Sequence, residues 1–239
     1  MRPLGRFFTA GTHVNLLPSE HLLKTGPVDH ADWNYRLVLG LIQRSRFRLA
    51  LRLLNTRRFH RLLEIGYGSG VFLPELALHC DRLYGVDIHS MNESVARVLA
   101  AANVRAELHT ASATKIPLPD GFIDAAVAVS SLEFIEEIDQ ACLEIARVLA
   151  PDGCLIVITP GHSPIVDFGL RLLTGEVAKP CYGSRRESLV PALLRHFVTA
   201  QELTVPPVLS SFVCLYRGFH LLQRSARGTR EPQAASGVS

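Results

Sequence analysis

The sequence lacks the patterns that mark disulfide-bonded, zinc-binding or membrane-spanning proteins. Its 239 residues include five widely spaced cysteines and no C-x-x-C pair, which argues against a disulfide framework and a cysteine zinc site. No uncharged apolar run approaches the roughly 18 residues that a membrane-spanning helix needs. Residues 1–17 have no unbroken apolar stretch of the kind that a signal peptide carries. We therefore expect a cytoplasmic protein that binds no metal.

Charge and aromatic residues are also scarce. Charged residues make up 20% of the chain, aromatic residues 7%, and the formal net charge is +3, a balance too mild to indicate nucleic acid as a partner. A mean hydropathy of +0.20 indicates either a sheet buried on both faces or apolar surface for a lipid-like partner or a membrane. The basic segment from Arg44 to Arg61 is either a solvated face or a patch for anionic headgroups or a phosphorylated substrate.

Strand-like and helix-like segments alternate along the chain. Apolar runs predict seven strands, at residues 61–65, 82–87, 104–109, 123–129, 154–158, 201–205 and 212–222. Helical spacing predicts helices between them and a long amphipathic helix from Asp32 to Leu54, with Leu37 and Leu41 on its apolar face. This alternation predicts an α/β fold with a doubly wound, mainly parallel, seven-stranded sheet. The predicted units are an N-terminal arm and helix (1–56), the α/β domain (57–224) and a disordered tail (225–239).

A glycine-rich loop connects the first strand of that domain to a helix. Gly66, Gly68 and Gly70 follow the strand at once, and Glu64 stands two residues before the first glycine. Glycine lets the backbone approach a ligand closely, and the helix N-terminus offers free N–H groups. A dinucleotide-binding G-x-G-x-x-G loop needs its third glycine at the position of Val71, and the chain has no Gly-Lys-Ser or Gly-Lys-Thr of a P-loop. The absence of a glycine at position 71 argues against a nicotinamide-dependent reductase.

Asp87 ends the second predicted strand. In an open parallel sheet, ligands bind at the carboxyl ends of the strands, where a carboxylate can accept hydrogen bonds from both hydroxyls of a ribose. An aspartate in this position also often caps the following helix. With the glycine loop in register, the ribose interpretation is favoured.

Five segments resemble the class I S-adenosylmethionine-dependent methyltransferases, in particular the type 11, ubiquinone/menaquinone-biosynthesis-like, small-molecule group. They are LEIGYGSG (63–70), GVD (85–87), IPLPDGFID (116–124), SLEFI (131–135) and RVLAPDG (147–153). The resemblance runs from Arg58 to Pro160 and implies the Rossmann-like methyltransferase fold and S-adenosyl-L-methionine as cofactor. It also implies an enzyme of the EC 2.1.1 class that transfers a methyl group in line to a small, hydrophobic molecule. No Asn-Pro-Pro-Tyr or Asp-Pro-Pro-Tyr follows the fourth strand, which disfavours a nucleic-acid methyltransferase.

The resemblance implies ten cofactor-binding positions: Glu64, Gly66, Tyr67, Gly68, Gly70, Asp87, Ile88, Ser112, Ala113 and Ser130. The glycine loop would face the methionine part of the cofactor and Asp87 the ribose. Ile88 would cover one adenine face, with Ser112 and Ala113 at the adenine edge. Ser130 and Ser131 would lie near the sulfonium and the substrate.

Two positions depart from the family pattern. The family often has an acid at the position of Ser112, and a serine hydroxyl accepts a hydrogen bond more weakly than a carboxylate does. It often has histidine where Phe134 stands, and phenylalanine makes the mouth of the site less polar. These departures leave open an alternative, a regulatory or scaffold protein that binds the cofactor without turnover.

The catalytic group is less clearly indicated. A general base is needed only if the accepting atom arrives protonated. His162, just past the fifth strand, is the first candidate and Glu133 the second; each could instead be an ordinary loop residue. His30, Trp33 and Tyr35 in the N-terminal arm either form a lid over the cofactor or simply pack. No motif names the acceptor, and oligomeric state is not indicated.

Overall fold

The structure is a computed structural model that describes residues 14–26, 29–55, 57–161, 183–207 and 213–224. Its helices are α1 (Leu37–Leu54), α2 (Leu73–Ala77), α3 (Asn92–Ala101), α4 (Ile138–Val148) and α5 (Gly183–His196), with 3₁₀ turns at Ser19–His21, Ala31–Tyr35 and Leu132–Phe134. Its strands are β1 (Phe59–Ile65), β2 (Cys80–Asp87), β3 (Glu107–Thr110), β4 (Ile123–Val129), β5 (Leu149–Pro160), β6 (Phe197–Val205) and β7 (Tyr216–Gln223). His162 and the predicted tail lie outside the described residues.

The seven strands form one sheet in the order β3-β2-β1-β4-β5-β7-β6. Strands β1 to β5 pair in parallel, whereas β7 runs antiparallel to both β5 and β6. The predicted doubly wound, mainly parallel sheet is therefore confirmed. The chain leaves β1 toward β2 on one side and later returns to place β4 on the other. At such a switch point the loops that follow the two strands separate, and a crevice opens at their carboxyl ends.

The sheet is covered on both faces, which explains the continuous apolar runs of its central strands. Successive side chains of a strand point to opposite faces. In β4, Ala125, Val127 and Val129 therefore join the core that contains buried residues of α1, α2 and α3, while Ala126 and Ala128 join the core that contains those of α4 and α5. The high apolar content of the chain therefore serves mainly to bury both faces of the sheet.

The predicted amphipathic helix from Asp32 is wrong in its first turns. Residues Ala31–Tyr35 form a 3₁₀ turn, Arg36 is extended, and α1 begins at Leu37. Leu37 is 89% exposed and Leu41 is 63% exposed, so the predicted apolar face is not the buried one there. The buried stripe instead contains Leu39, Phe47, Leu49, Ala50, Leu53 and Leu54. The buried Asn34 side chain, which donates to the Ala31 carbonyl at 2.9 Å, closes the 3₁₀ turn that replaces the helix.

Of the seven strands, β4 alone has the predicted bounds, and the others begin or end at different residues. Strand β5 begins at Leu149 instead of at residue 154 and has a register shift against β4. Strand β6 begins at Phe197, directly after α5.

In the described part of the chain, no helix is both long and apolar enough to cross a membrane. The described residues also contain no group of three His, Cys, Asp or Glu side chains arranged to hold a metal.

Candidate functional site

A cavity of about 910 Å³ lies at the carboxyl ends of the parallel strands, near the upper end of the roughly 300–1,000 Å³ typical of small-molecule sites. The loops after β1, β2, β3 and β4 form its walls, and the N-terminal arm and α1 close one side. Nine of the ten predicted cofactor-binding residues line it: Glu64, Gly66, Tyr67, Gly68, Asp87, Ile88, Ser112, Ala113 and Ser130. Glu133 lines it as well.

Gly66 begins the glycine loop in a conformation that disfavours other residues. Its φ is +75°, and a Cβ atom there would lie 2.4 Å from Cβ of Ser131. Ser131 is itself fixed, because its hydroxyl donates to the Ile65 carbonyl at 2.7 Å. The ends of β1 and β4 thus approach each other closely only because residue 66 has no side chain.

Gly70 differs from the other predicted positions because it does not line the cavity. Its N–H donates to the Tyr67 carbonyl at 2.8 Å, and its φ is +74°. A Cβ atom at residue 70 would lie 2.9 Å from Cγ1 of Val95. Gly70 therefore serves the turn and the close approach of α3, and its contact with the cofactor stays a prediction.

Asp87 joins the end of β2 to the glycine loop. Its Oδ2 accepts the Gly68 N–H at 2.8 Å, and its Oδ1 lies 3.4 Å from the His89 backbone nitrogen. Helix α3 begins after Met91 without a side-chain cap, so Asp87 does not cap that helix. The carboxylate is oriented by backbone N–H groups and borders the cavity, as a group that binds two hydroxyls would be.

Glu64 is a buried carboxyl group in the cavity wall. It is 4% exposed, and its Oε2 has no hydrogen-bond partner among the described residues. Burial raises the pKa of Glu64 well above its ordinary value, the nearby charge of Asp87 raises it further, and Arg46 opposes both. A cationic or hydrogen-bonding ligand group in the cavity would satisfy this oxygen.

The opposite end of the cavity is bordered by the loops after β2 and β3. Ile88 is 78% exposed and presents an apolar surface there. The Ser112 hydroxyl accepts the Thr114 N–H at 3.1 Å and lies 2.7 Å from the Thr114 hydroxyl. Ser112 therefore already takes part in a local turn, which leaves it fewer free lone pairs than a carboxylate would have.

The loop after β4 contributes Ser130, Glu133 and Phe134. Ser130 has a φ of +53°, and its buried hydroxyl oxygen has no partner among the described residues. Glu133 is 3% exposed within the 3₁₀ turn, and Phe134 is 39% exposed at the cavity. The other candidate base, His162, lies outside the described residues.

The N-terminal arm covers the glycine loop. Asp29 accepts the Thr25 hydroxyl at 2.8 Å and the Ala31 N–H at 3.1 Å, and its Oδ2 lies 3.8 Å from the position that a Cβ of Gly68 would take. His30 and Trp33 stack with ring centroids 4.3 Å apart and line the cavity. Tyr35 does not line it; its hydroxyl donates to the Leu17 carbonyl.

Sequence reasoning missed several polar residues in the cavity wall, among them Gln43, Arg46 and His89. Gln43 is 9% exposed on α1, and a polar residue on a buried helix face was the signal that could have indicated it. His89 is two residues past Asp87, on the edge of the sheet where ligands bind. Its position could have been derived, but its hydrogen bonds could not.

Part of the chain is similar in sequence to known proteins. Residues 63–157 match the family model described as "Methyltransferase domain" (Methyltransf_11). The sterol 4-C-methyltransferase of Caenorhabditis elegans is 35% identical over 40% of this chain and 29% of its own length. The ubiquinone/menaquinone biosynthesis C-methyltransferase UbiE of Pseudomonas entomophila is 31% identical over 46% of each chain. The chain thus spans less than half the length of either relative.

The fold is similar to that of solved methyltransferases. The N-methyltransferase NodS of Bradyrhizobium japonicum, whose structure contains S-adenosyl-L-homocysteine, matches with a TM-score of 0.54 over 75% of this chain and 87% of its own, at 22% identity. At this identity the match establishes the fold alone, the Rossmann-like methyltransferase fold that the sequence predicted.

Proposed function

We propose that this chain, whose residues 63–157 form a class I methyltransferase domain of the type 11 group, binds S-adenosyl-L-methionine and methylates a small hydrophobic molecule. The observation that carries the proposal is the Gly68–Asp87 pair, which sets an oriented carboxylate at the carboxyl end of β2 in the wall of the cavity. The relatives named above are C-methyltransferases by name, which favours an enzyme over a binding protein without turnover.

The cavity has the groups that this cofactor requires. The Gly68 backbone, where the nearest described atoms lie 3.8 Å from the position of a Cβ, gives close access for the methionine part. The buried Glu64 carboxyl, whose Oε2 has no hydrogen-bond partner among the described residues, suits its ammonium group. The Asp87 carboxylate would accept hydrogen bonds from the two ribose hydroxyls. Ile88 would cover one face of the adenine, with Ser112 and Ala113 at its edge. Tyr67 and Ser130 complete the wall around the methionine part.

When bound, the cofactor supplies a methyl group activated by a sulfonium. The remaining task of the chain is to hold the acceptor in line with that group and to exclude water. The stacked His30 and Trp33 lie over the cavity together with Ile42 and Phe47 of α1. We assign this arm, residues 1–56 with α1, the role of a lid.

Glu133 is the candidate general base among the described residues, since it lies buried at the cavity wall in the loop after β4. A base there would take a proton from the accepting atom as the new bond to carbon forms. His162 follows β5 in the sequence and is the second candidate. An acceptor that arrives already deprotonated would need neither.

The acceptor is proposed to be lipid-like, in keeping with the sterol and ubiquinone/menaquinone in the names of the relatives. Apolar side chains at the cavity support this, among them Trp33, Phe47 and Phe134. The exposed Leu37 and Leu41 at the start of α1 support contact with a membrane surface. The described cysteines are free and buried, in keeping with a cytoplasmic location.

Isothermal titration calorimetry tests the proposal. We expect S-adenosyl-L-methionine and S-adenosyl-L-homocysteine to bind at micromolar concentration and NAD not to bind. Incubation with cofactor labelled in its methyl group and a panel of quinones, sterols and phenolic lipids should transfer the label to an organic-soluble product. Binding of NAD without binding of either methionine derivative would contradict the assignment.

A further inference from the structure

The loop after β2 carries a histidine whose side chain reaches back to the glycine loop. We propose that His89 is a positioning residue of the cofactor site: as the neutral Nε2–H tautomer, it fixes the Gly68 carbonyl and so keeps Gly68 bonded to Asp87. This role rests on the proposed function, because it assumes that Asp87 binds the ribose of the cofactor. It assigns a task to a residue that neither the motifs nor the resemblance indicated.

The two ring nitrogens of His89 have different partners. Nε2 lies 2.9 Å from the Gly68 carbonyl oxygen, and Nδ1 lies 3.1 Å from the Met91 backbone nitrogen. A carbonyl oxygen can only accept a hydrogen bond, and a backbone N–H can only donate one. Nε2 must therefore carry the proton and Nδ1 must accept. The neighbouring backbone thus selects one tautomer of the neutral ring.

The position of the ring is fixed by further contacts. The His89 side chain is 9% exposed. Its ring meets the Tyr67 ring edge to face, with centroids 5.0 Å apart and an interplanar angle of 84°. The backbone carbonyl of His89 accepts the Thr110 hydroxyl at 2.9 Å, which ties the loop to the end of β3. The imidazole is thus held as a link between β1, β2 and β3 at the edge where the cavity lies.

Gly68 is held by both of its polar groups. Its N–H donates to Asp87 at 2.8 Å, and its carbonyl accepts from His89 at 2.9 Å. Glycine has the greatest backbone freedom of all residues, and Gly68 adopts a φ of +53°. Because the two bonds flank its φ and ψ angles, they restrict both rotations. Without the His89 bond, the peptide that follows Gly68 can rotate, and the Gly68 N–H that orients the Asp87 carboxylate is held less firmly before the ligand arrives.

Two conservative variants test the hydrogen bonds of the two ring nitrogens separately. In His89→Gln, the side-chain amide nitrogen reaches the position of Nε2 and can still donate to Gly68. In His89→Asn, the shorter amide oxygen reaches the position of Nδ1 and can still accept from Met91, but the bond to Gly68 is lost. His60→Asn is the control, because His60 is exposed near the opposite end of β1.

The readout is the affinity for S-adenosyl-L-homocysteine, measured by calorimetry at a temperature at which thermal unfolding shows each variant to be fully folded. We expect His89→Asn to weaken binding about tenfold, the ratio that corresponds to one ordinary hydrogen bond of about 1.4 kcal/mol. We expect His89→Gln to stay within about threefold of wild type, and His60→Asn to be unchanged. A purely structural role would instead lower the stability of both His89 variants and leave the affinity of the folded fraction equal.

The tautomer is measured without any ligand. Long-range ¹H–¹⁵N correlation spectra of the wild-type protein at neutral pH should show the Nε2–H form for His89. An Nδ1–H form, or a His89→Asn variant that binds as tightly as wild type, overturns the positioning role while the proposed function stands. A wild-type protein that binds neither S-adenosyl-L-methionine nor S-adenosyl-L-homocysteine overturns the proposed function, and the positioning role with it.

Discussion

The Gly68 backbone N–H donates to Oδ2 of Asp87 across 2.8 Å, joining the loop after β1 to the end of β2. The two residues are 19 positions apart in sequence, yet the parallel pairing of β1 with β2 brings both to the same edge of the sheet. The bond orients a carboxylate in the cavity wall before any ligand arrives. Such preorganisation lowers the entropy that binding must overcome.

Removing the charge of Asp87 should weaken cofactor binding. We expect Asp87→Asn to lower the affinity for S-adenosyl-L-homocysteine by about 1–3 kcal/mol, because charge-assisted hydrogen bonds to the ribose become neutral ones or are lost. Calorimetry provides the measurement. Asp81→Asn is the matched control, since Asp81 lies at the start of β2 and pairs with Arg58 on the surface. Equal affinities for the two variants would reject the assignment of Asp87 to the ribose.

Alanine substitutions at two glycines with positive φ distinguish the cost of backbone strain from the cost of steric overlap. Gly66→Ala places a Cβ 2.4 Å from Cβ of Ser131 at a φ of +75°, whereas Gly121→Ala has the strain of a φ of +62° with no atom of the described residues within 4 Å. We expect Gly121→Ala to cost about 1–2 kcal/mol of unfolding free energy and Gly66→Ala about 1–3 kcal/mol more. Urea denaturation compares the two. A Gly66→Ala protein as stable as Gly121→Ala would mean that the loop can move away from β4.

Restoring an acid at residue 112 should tighten binding. An aspartate can keep the local turn with Thr114 and offer a second oxygen to the adenine amino group. We expect Ser112→Asp to raise the affinity for S-adenosyl-L-homocysteine about three- to tenfold. The analogue in which an oxo group replaces the adenine amino group should show no such gain. A similar gain for both ligands would indicate a general electrostatic effect and not a contact with the amino group.

Glu64 should make the protein less stable as pH rises. Its folded-state pKa lies well above the ordinary value of 4.5, mainly because of burial. The native state therefore binds a proton that the unfolded state releases above that value. Its stabilising contribution is complete below the unfolded pKa and is lost as pH rises through the folded pKa.

The variant Glu64→Gln should remove this pH dependence. We expect the difference in unfolding free energy between variant and wild type to shift in favour of the variant from pH 5 to pH 8, measured by urea denaturation without ligand. Glu75→Gln serves as a second buried-carboxylate comparison, because its carboxyl group accepts the Asn15 N–H. A constant difference for Glu64→Gln across that range would mean that the carboxyl group ionises normally in the fold.

The sequence was sufficient for features set by local pattern. The strands predicted at residues 61–65 and 123–129, the glycine loop and the strand-end Asp87 follow from runs of apolar residues and from their order. The same information was insufficient for α1, where Leu37 and Leu41 have helical spacing but face solvent, because the buried face depends on how the arm packs. The His89–Gly68 hydrogen bond and the approach of Asp29 to the glycine loop connect segments that are distant in sequence. The local spacing of apolar residues cannot predict such pairs.

The most direct test of the central claim is a crystal structure of the protein with S-adenosyl-L-homocysteine. We predict that the ligand occupies the cavity at the ends of β1, β2 and β4. Its ribose hydroxyls should lie within hydrogen-bond distance of the Asp87 carboxylate, and its amino group should lie near Glu64. A ligand bound elsewhere, or a ribose that makes no contact with Asp87, would contradict it.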